Sequence, residues 1–205
     1  MKEAKSPQRG SLPYHHGNLP AALLEAAGRL VAEVGPAGFT LREVARRAGV
    51  SHNAPYRHFR DKGELLATMA TQGFRELTHA MLAAAELQTG SLERLKHSGL
   101  AYVAFALQRP EHFSVMFDAP ISELEYPACA DAGHECFKTL VRFVESSQAD
   151  GAFAGEDPLL RALGAWSLVH GIAKLAIARR LPFASDAEVL RFAGLAIDRS
   201  FPQRT

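Results

Sequence analysis

The stretch from Thr40 to Lys62 contains side chains of the types that contact nucleic acids. Asn53 could hydrogen-bond an adenine edge, His52 a base or a phosphate, and the Ala54 methyl could pack against a thymine methyl. Thr40 precedes an apolar helical pattern, so its hydroxyl could both cap that helix and donate to a phosphate. The alternative is that His52 and Asn53 are solvated side chains in the first turn of a helix.

The charge of the chain is divided unevenly along its length. The 205 residues include 23 Lys+Arg and 22 Asp+Glu, which gives a formal net charge of only +1. Residues 1–62 contain 10 basic and 5 acidic side chains, a net charge of +5, which leaves 13 and 17, a net charge of −4, for residues 63–205. A basic end on an acidic body indicates phosphate binding confined to one region, with an affinity that falls steeply with salt.

The composition excludes disordered and collagen-like classes, because 47% of the residues are hydrophobic. The two cysteines, Cys129 and Cys136, are too few for a disulfide framework, which favours a reducing compartment. Residues 1–13 lack an apolar signal region, and no run approaches the roughly 18 apolar residues of a membrane span. The sequence therefore predicts a soluble, cytoplasmic protein with no membrane partner.

Apolar residues recur at spacings of three and four, which predicts an all-α fold. After a flexible basic arm (1–13), three helices form a head (14–62): one over about 18–34, a two-turn helix after Thr40, and one from Ser51 to about Phe59. An Asp61–Glu64 capping pattern opens the second domain (63–205). This ligand-binding and dimerisation domain has six predicted helices, over about 62–87, 92–108, 111–118, 122–148, 157–180 and 185–200.

The second and third predicted helices form a helix-turn-helix pattern around Ala48-Gly49-Val50-Ser51. Gly49 permits the tight turn between them, and Val50 closes the small core that they share. In this arrangement the later helix lies in a major groove with its first side chains at base edges, while the earlier helix crosses the backbone.

The run from Phe39 to Ser51, FTLREVARRAGVS, continued by YRHFRDK over Tyr56–Lys62, resembles the DNA-binding domain of the TetR family of transcriptional regulators. Farther along, Arg109–Phe117 and Trp166–Gly171 are similar to the WHG-type ligand-binding domain of one branch of that family. The opening Tyr14–Leu19 is also similar to the start of the first helix in this branch.

The resemblance implies a homodimer whose last two helices join in a four-helix interface, a small-molecule site between this interface and the head, and repression relieved by the ligand. It also implies phosphate contacts from Tyr56, His58 and Lys62. One departure is Ala54-Pro55, where many relatives carry a small or hydroxylated residue and an aliphatic one, so the third helix could start differently. The predicted DNA-contacting residues are Thr40, Arg42, Ser51, His52, Asn53, Ala54, Tyr56, Arg57, His58 and Lys62.

Ten of the 12 phenylalanines follow residue 62, and several aromatic residues there could line an apolar ligand cavity. The alternative is that these rings only fill the core, as aromatic residues at helical spacing usually do. The candidate lining residues are Tyr102, Phe105, Phe113, Met116, Phe117, Phe137, Phe143, Trp166 and His170.

A metal or redox site around Cys129, His134, Glu135 and Cys136 is the weaker reading, because their spacing lacks a short ligand pair and helix neighbours point apart. We therefore predict no metal and no cofactor, and ordinary thiols. The final two helices contain many small residues, among them Gly164 and Gly171, and more apolar surface than one body buries, which predicts a homodimer interface. Packing within one chain is the alternative.

Together these features predict a ligand-responsive, DNA-binding regulator. Its predicted partners are a pseudo-palindromic double-stranded operator with half-sites roughly 34 Å apart, an apolar or aromatic effector, and a second copy of the chain. Two alternatives come from other classes: a small all-α enzyme that uses the C-terminal cavity, and a helix-turn-helix adaptor that binds protein. No nucleophile elbow, phosphate-binding glycine loop or acid–base pair supports the enzyme.

Overall fold

The computed structural model describes residues 18–201, and within this range the chain forms eight α-helices and no β-strand. The predicted all-α class is thereby confirmed. The predicted arm (1–13) and the Tyr14–Gly17 segment lie outside the described residues. The helices are α1 (Leu19–Val34), α2 (Leu41–Arg47), α3 (Lys62–Glu86), α4 (Ser91–Gln108), α5 (Pro110–Asp118), α6 (Pro127–Ala149), α7 (Pro158–Ile177) and α8 (Asp186–Ser200).

Side-chain caps fix several helix starts close to the predicted positions. Before α2, the Thr40 hydroxyl accepts a hydrogen bond from the Glu43 backbone N–H at 3.3 Å, and the Glu43 carboxylate accepts one from the Thr40 N–H at 2.7 Å. Ser185 and Glu188 form the same reciprocal pair before α8. Each pair satisfies two backbone donors that a helix start otherwise leaves open.

The segment after Gly49 is shorter than predicted. In place of a helix from Ser51 to about Phe59, it forms a single 3-10 turn, Pro55–Arg57. Hydrogen bonds of the three-residue type run from Ala54 N to Ser51 O at 2.9 Å and from Arg57 N to Ala54 O at 3.2 Å. An α-helix capped by Ser51 would need an N–H on residue 55 as the donor to the Ser51 carbonyl, and proline has none.

Two other helix ends differ from the sequence-based prediction. Helix α6 begins at Pro127 rather than near 122, because residues 122–126 form a turn in which Tyr126 N donates to Ser122 O at 3.0 Å. Helix α7 ends at Ile177 rather than near 180, because Arg179 has a left-handed backbone (φ 54°) that ends the regular hydrogen-bond ladder.

The long helix α3 connects the two parts of the structure. It packs against α4, α5 and α6, while α1 rests on α5, and α7 and α8 pack on α4. The contact between α3 and α5 is close at Gly73, where an added Cβ would lie 2.5 Å from the Met116 sulfur. Phe113 on α5 is fully buried beneath this contact, so the core is continuous from α3 to the C-terminal helices.

Candidate nucleic-acid interface and ligand cavity

The turn after α2 has the geometry that the sequence predicts for Gly49. This residue has φ 71°, a region that L side chains rarely adopt, and its N–H donates to Arg46 O at 3.2 Å. Val50 N then donates to Ala45 O at 3.0 Å, and its side chain packs against the core. The chain is thus turned sharply toward the segment that follows.

The segment 51–58 is mostly exposed, apart from one buried residue within it and another directly after it. Pro55 and Phe59 are buried, whereas the Tyr56 ring between them is 52% exposed. Most of the predicted DNA-contacting residues of this segment are exposed, namely Ser51, His52, Asn53, Tyr56, Arg57 and His58, and Ala54 is half-buried.

Basic side chains of the head fall into two groups. Arg47 forms a two-pronged ion pair with Glu33 of α1, with both N–O distances 2.6 Å, and so ties α2 to α1. Arg42, Arg46 and Arg57 are exposed and form no ion pair within residues 18–201. Arg46 was missed by sequence reasoning, although its place four residues after Arg42 puts both on one face of α2.

Two of the predicted phosphate donors are already engaged inside the head. The Lys62 ammonium donates to the Ala37 and Phe39 carbonyl oxygens at 2.9 and 2.8 Å and lies 4.3 Å from the centre of the Phe39 ring. Partial burial lowers the pKa of Lys62. The Thr40 hydroxyl donates to the Glu43 carboxylate at 2.8 Å. A phosphate contact from either residue stays a prediction, and it would share or replace these bonds.

A three-residue cluster joins the head to the body. The Tyr126 hydroxyl, in the turn before α6, donates to Asp61 Oδ1 at 2.9 Å and accepts from the Arg60 guanidinium at 3.2 Å. Arg60 also pairs with Asp61 at 2.9 Å. Gly63 makes room for the phenol, because an added Cβ would lie 2.4 Å from its oxygen. No local pattern in the sequence could have indicated this contact, since Tyr126 lies 65 residues after Asp61.

The cluster perturbs the ionisation of Asp61. The hydrogen bond from Arg60 is the main cause, and with the Glu64 backbone N–H and the Tyr126 hydroxyl it lowers the pKa of Asp61 to about 2. The same pairing raises the pKa of Arg60. Asp61 is also the N-cap of α3, so one carboxylate links the end of the 51–60 segment, the start of α3 and the turn before α6.

An apolar cavity of about 390 Å³ is lined by residues of all six helices from α3 to α8, and its size is typical of small-molecule sites. Five of the aromatic and methionine residues predicted to line it do so: Tyr102, Met116, Phe117, Phe137 and Trp166. The other four lie outside the lining: Phe105, Phe113, Phe143 and His170. Phe74 was missed, although its spacing from Leu77 and Met81 on α3 places all three on one face.

Polar groups in the cavity wall are bonded to one another. The Tyr102 hydroxyl lies 2.8 Å from His170 Nδ1 and accepts from the Trp166 indole N–H at 3.1 Å. Burial raises the pKa of Tyr102, and burial together with the nearby Lys174 lowers the pKa of His170. Both changes favour the neutral forms, so the bonded group carries no charge near neutral pH.

The two cysteines line the cavity from α6. Burial raises the pKa of both thiols, although Thr71 hydrogen-bonds Cys129 and Thr78 hydrogen-bonds Cys136. They are therefore poor nucleophiles at neutral pH. Over the described part of the chain no three His, Cys, Asp or Glu side chains are grouped as metal ligands, and His134 is exposed at the cavity rim.

Two family models match the chain. The model described as "Bacterial regulatory proteins, tetR family" matches residues 23–69, and "Tetracyclin repressor-like, C-terminal domain" matches residues 95–198, just over half of the chain. The resemblance seen in the sequence is thereby confirmed for both parts.

Individual proteins also match. The structure of a protein of unknown function from Rhodococcus sp. RHA1 is 36% identical in sequence and superposes with a TM-score of 0.78. The alignment covers 94% of this chain and 100% of that one. An HTH-type transcriptional repressor of Mycobacterium tuberculosis is 32% identical over 40% of this chain, and the match spans only 43% of that relative. AibR, solved with isovaleryl coenzyme A and operator DNA, has the same fold at 17% identity (TM-score 0.71, 86% of this chain, 96% of that one).

None of the helices in residues 18–201 has the length and hydropathy needed to cross a membrane.

The Asp61 cluster gives a prediction about ionisation. Carbon-detected NMR titration of the side-chain carboxyl is expected to give Asp61 a midpoint near 2, and Tyr126→Phe should move it upward toward 3.8, because one hydrogen-bond donor is lost. Because the folded-state pKa is depressed, the stabilisation is present above pH 3.8 and is lost as the pH falls through about 2. Tyr56→Phe, at an exposed ring, is the control and should leave the midpoint unchanged. A native midpoint at 3.8 would contradict the cluster.

Proposed function

The chain belongs to the TetR family of bacterial transcriptional regulators, and we propose that it is a homodimeric repressor that binds operator DNA through the head and releases it when a small molecule enters the cavity. The exposed 51–58 surface, flanked by Arg42 and Arg46 without ion-pair partners among the described residues, is the observation that carries the DNA-binding part. Its polar side chains suit base edges, and its free guanidinium groups suit phosphates.

The distribution of paired and unpaired charge supports DNA rather than protein as the partner of the head. Arg47 and Lys62 hold the head together through bonds to Glu33 and backbone oxygens, and Arg60 is engaged with Asp61 and Tyr126. The remaining cations are directed to solvent around residues with base-reading side chains. A protein-binding adaptor has no requirement for this combination. A regulator of chromosomal DNA works where that DNA lies, so we place it in the cytoplasm.

The proposed dimer interface is the outer face of α7 and α8. Leucine side chains there are left half-exposed or more in a single chain, among them Leu160 (68%) and Leu195 (60%). Three glycines on the same helices have open space where a side chain would stand: Gly164, Gly171 and Gly194. Open glycines beside exposed leucines let two helices approach closely and bury apolar surface.

The proposed route from effector to DNA passes through the α5–α6 connection. Ala119, Ile121 and Glu123 of this connection line the cavity, and Tyr126 at its end holds Arg60 and Asp61. A molecule that displaces the connection therefore acts on the residues that directly follow the 51–58 segment. In a dimer this changes the separation of the two heads, so that effector and DNA oppose each other's binding. In this proposal the cavity binds an effector and carries out no enzymatic reaction.

DNA binding is tested by fluorescence anisotropy with the DNA upstream of the gene at two salt concentrations. We expect tight binding that weakens steeply with salt, and a loss of about tenfold in affinity and a shallower salt slope for Arg57→Ala, since charge-assisted contacts are lost in both subunits. The control is Arg180→Ala, which removes an exposed cation after α7, far along the chain from the head. Absent binding, or binding indifferent to salt, would refute the proposal.

The dimer is tested by substituting a charge into its face. Leu195→Arg is expected to convert the protein to a monomer in analytical ultracentrifugation while its far-UV circular dichroism stays native, because a buried unpaired charge opposes association. Leu87→Arg is the matched control, because Leu87 is 82% exposed at the end of α3 and lies outside the proposed face. A native sequence that sediments as a monomer, or a dimeric Leu195→Arg, would show that the interface lies elsewhere.

Coupling is tested with the compound that raises the melting temperature most in a thermal-shift screen. For the native chain, saturating compound should weaken DNA binding by about 5- to 150-fold, the usual range of such coupling. Tyr126→Phe should reduce that factor by about fivefold, because the hydroxyl bonds that carry the displacement are lost, while direct binding of the compound is unchanged. An unaltered factor in Tyr126→Phe would remove Tyr126 from the route.

A further inference from the structure

We infer that the effector of this cavity is a hydrophobic molecule with a protonated amine, whose apolar part fills the cavity and whose ammonium group lies at the rim beside Glu123. The inference rests on the proposed function, which makes the cavity the effector site, and it names the chemistry that the site selects. Three features of the wall carry it: its paired interior polar groups, the charges at its rim and its rings.

The interior of the cavity offers a polar ligand group very little. The Tyr102 hydroxyl is bonded to both His170 and Trp166, and the Ser98 hydroxyl donates to the Leu95 carbonyl at 2.7 Å. Both thiols are buried, and a thiol is only a weak donor and acceptor. A polar group carried inside would give up its bonds to water without equivalent partners in the wall, which is unfavourable. The part of the ligand that enters must therefore be apolar.

The rim supplies one carboxylate and, besides the His134 imidazole, no basic side chain. Among the residues that line the cavity, Glu123 is the only acid, and lysine and arginine are both absent. The Glu123 carboxylate is exposed and forms no ion pair within the described residues, yet its charge helps to raise the pKa of the Cys129 thiol in the wall. Glu123 therefore acts electrostatically on the cavity. A ligand carboxylate would meet this charge with no lysine or arginine to offset it, whereas an ammonium group would gain a partner.

The rings of the wall suit the same class of ligand. Phe117 lies edge-on to Phe74, with their ring centres 5.6 Å apart, and Phe137 lies edge-on to Trp166 at 5.7 Å. Such a wall packs well against an aromatic or branched apolar body. Ring faces also attract ammonium groups, so a cation near the rim loses less on leaving water than an anion does.

The experiment uses three probes with the same phenylbutyl body: phenylbutylamine, phenylbutanol and phenylbutyrate. Trp166 is the only tryptophan of the chain and lines the cavity, so its fluorescence reports occupancy directly, without DNA. We expect the amine to bind about fivefold more tightly than the alcohol, the upper range for an exposed ion pair, and the acid to bind more weakly than both. Equal binding of amine and alcohol, tighter binding of the acid, or no fluorescence change with any probe would overturn the inference.

Matched variants separate charge at the rim from a general effect on folding. Glu123→Gln should weaken amine binding about fivefold and leave alcohol binding unchanged. Glu125→Gln removes the same charge two residues later on the same connection, at an exposed position outside the lining, and should alter neither. If Glu123→Gln keeps the native preference for the amine, Glu123 is not the selecting group. DNA binding by the head is measured separately, so loss of amine selectivity leaves the regulator proposal standing.

Discussion

The hydrogen bonds of the Tyr126 hydroxyl to Arg60 and Asp61 tie the residues before α3 directly to the body, in addition to α3 itself and the packing of α1 on α5. They are made where the exposed 51–60 segment ends and the 25-residue helix α3 begins. At a helix start the free backbone N–H groups fix the position of the capping carboxylate, so a partner that bonds this carboxylate is placed accurately as well. By holding that carboxylate, Tyr126 links the first turn of α3 to the α5–α6 connection.

The net charge of +5 over residues 1–62 overstates what the head can offer a phosphate backbone. The Arg47 guanidinium is paired with Glu33, and the Lys62 ammonium donates hydrogen bonds to two carbonyl oxygens. These bonds join α1, α2 and α3, whose own apolar contacts are limited in so small a unit. The same residue types therefore serve two roles, and only burial and distance distinguish the arginines that stabilise the head from those that remain available, such as Arg42 and Arg57.

The elements that sequence predicts well are those set by neighbours along the chain. Reciprocal caps at Thr40 and Ser185 and the left-handed glycine at position 49 act within four residues, so the pattern alone places them. The prediction of a third helix after Ser51 was wrong for a reason that is equally local. Pro55 lacks the backbone N–H that the helix would need, and only a 3-10 turn forms. The residues that line the cavity could not be predicted from such local patterns. Phe113 and Phe117 stand one turn apart on α5, yet only the second reaches the lining, because that depends on which helices arrive from elsewhere.

Helix α7 lines the cavity on one side and forms part of the proposed dimer interface on the other. Ligand binding and subunit contact can therefore affect each other. Trp166 and Val169 face the cavity, whereas Gly164 and Gly171 leave open space on the outer side. A packed helix moves as a rigid unit, because its interior contacts tolerate little local adjustment. A molecule that shifts the inner face of α7 must then shift the outer face as well. In the proposed dimer the two cavities would thus be linked through the interface between the α7 helices, while the proposed route through Tyr126 would link each to its own head.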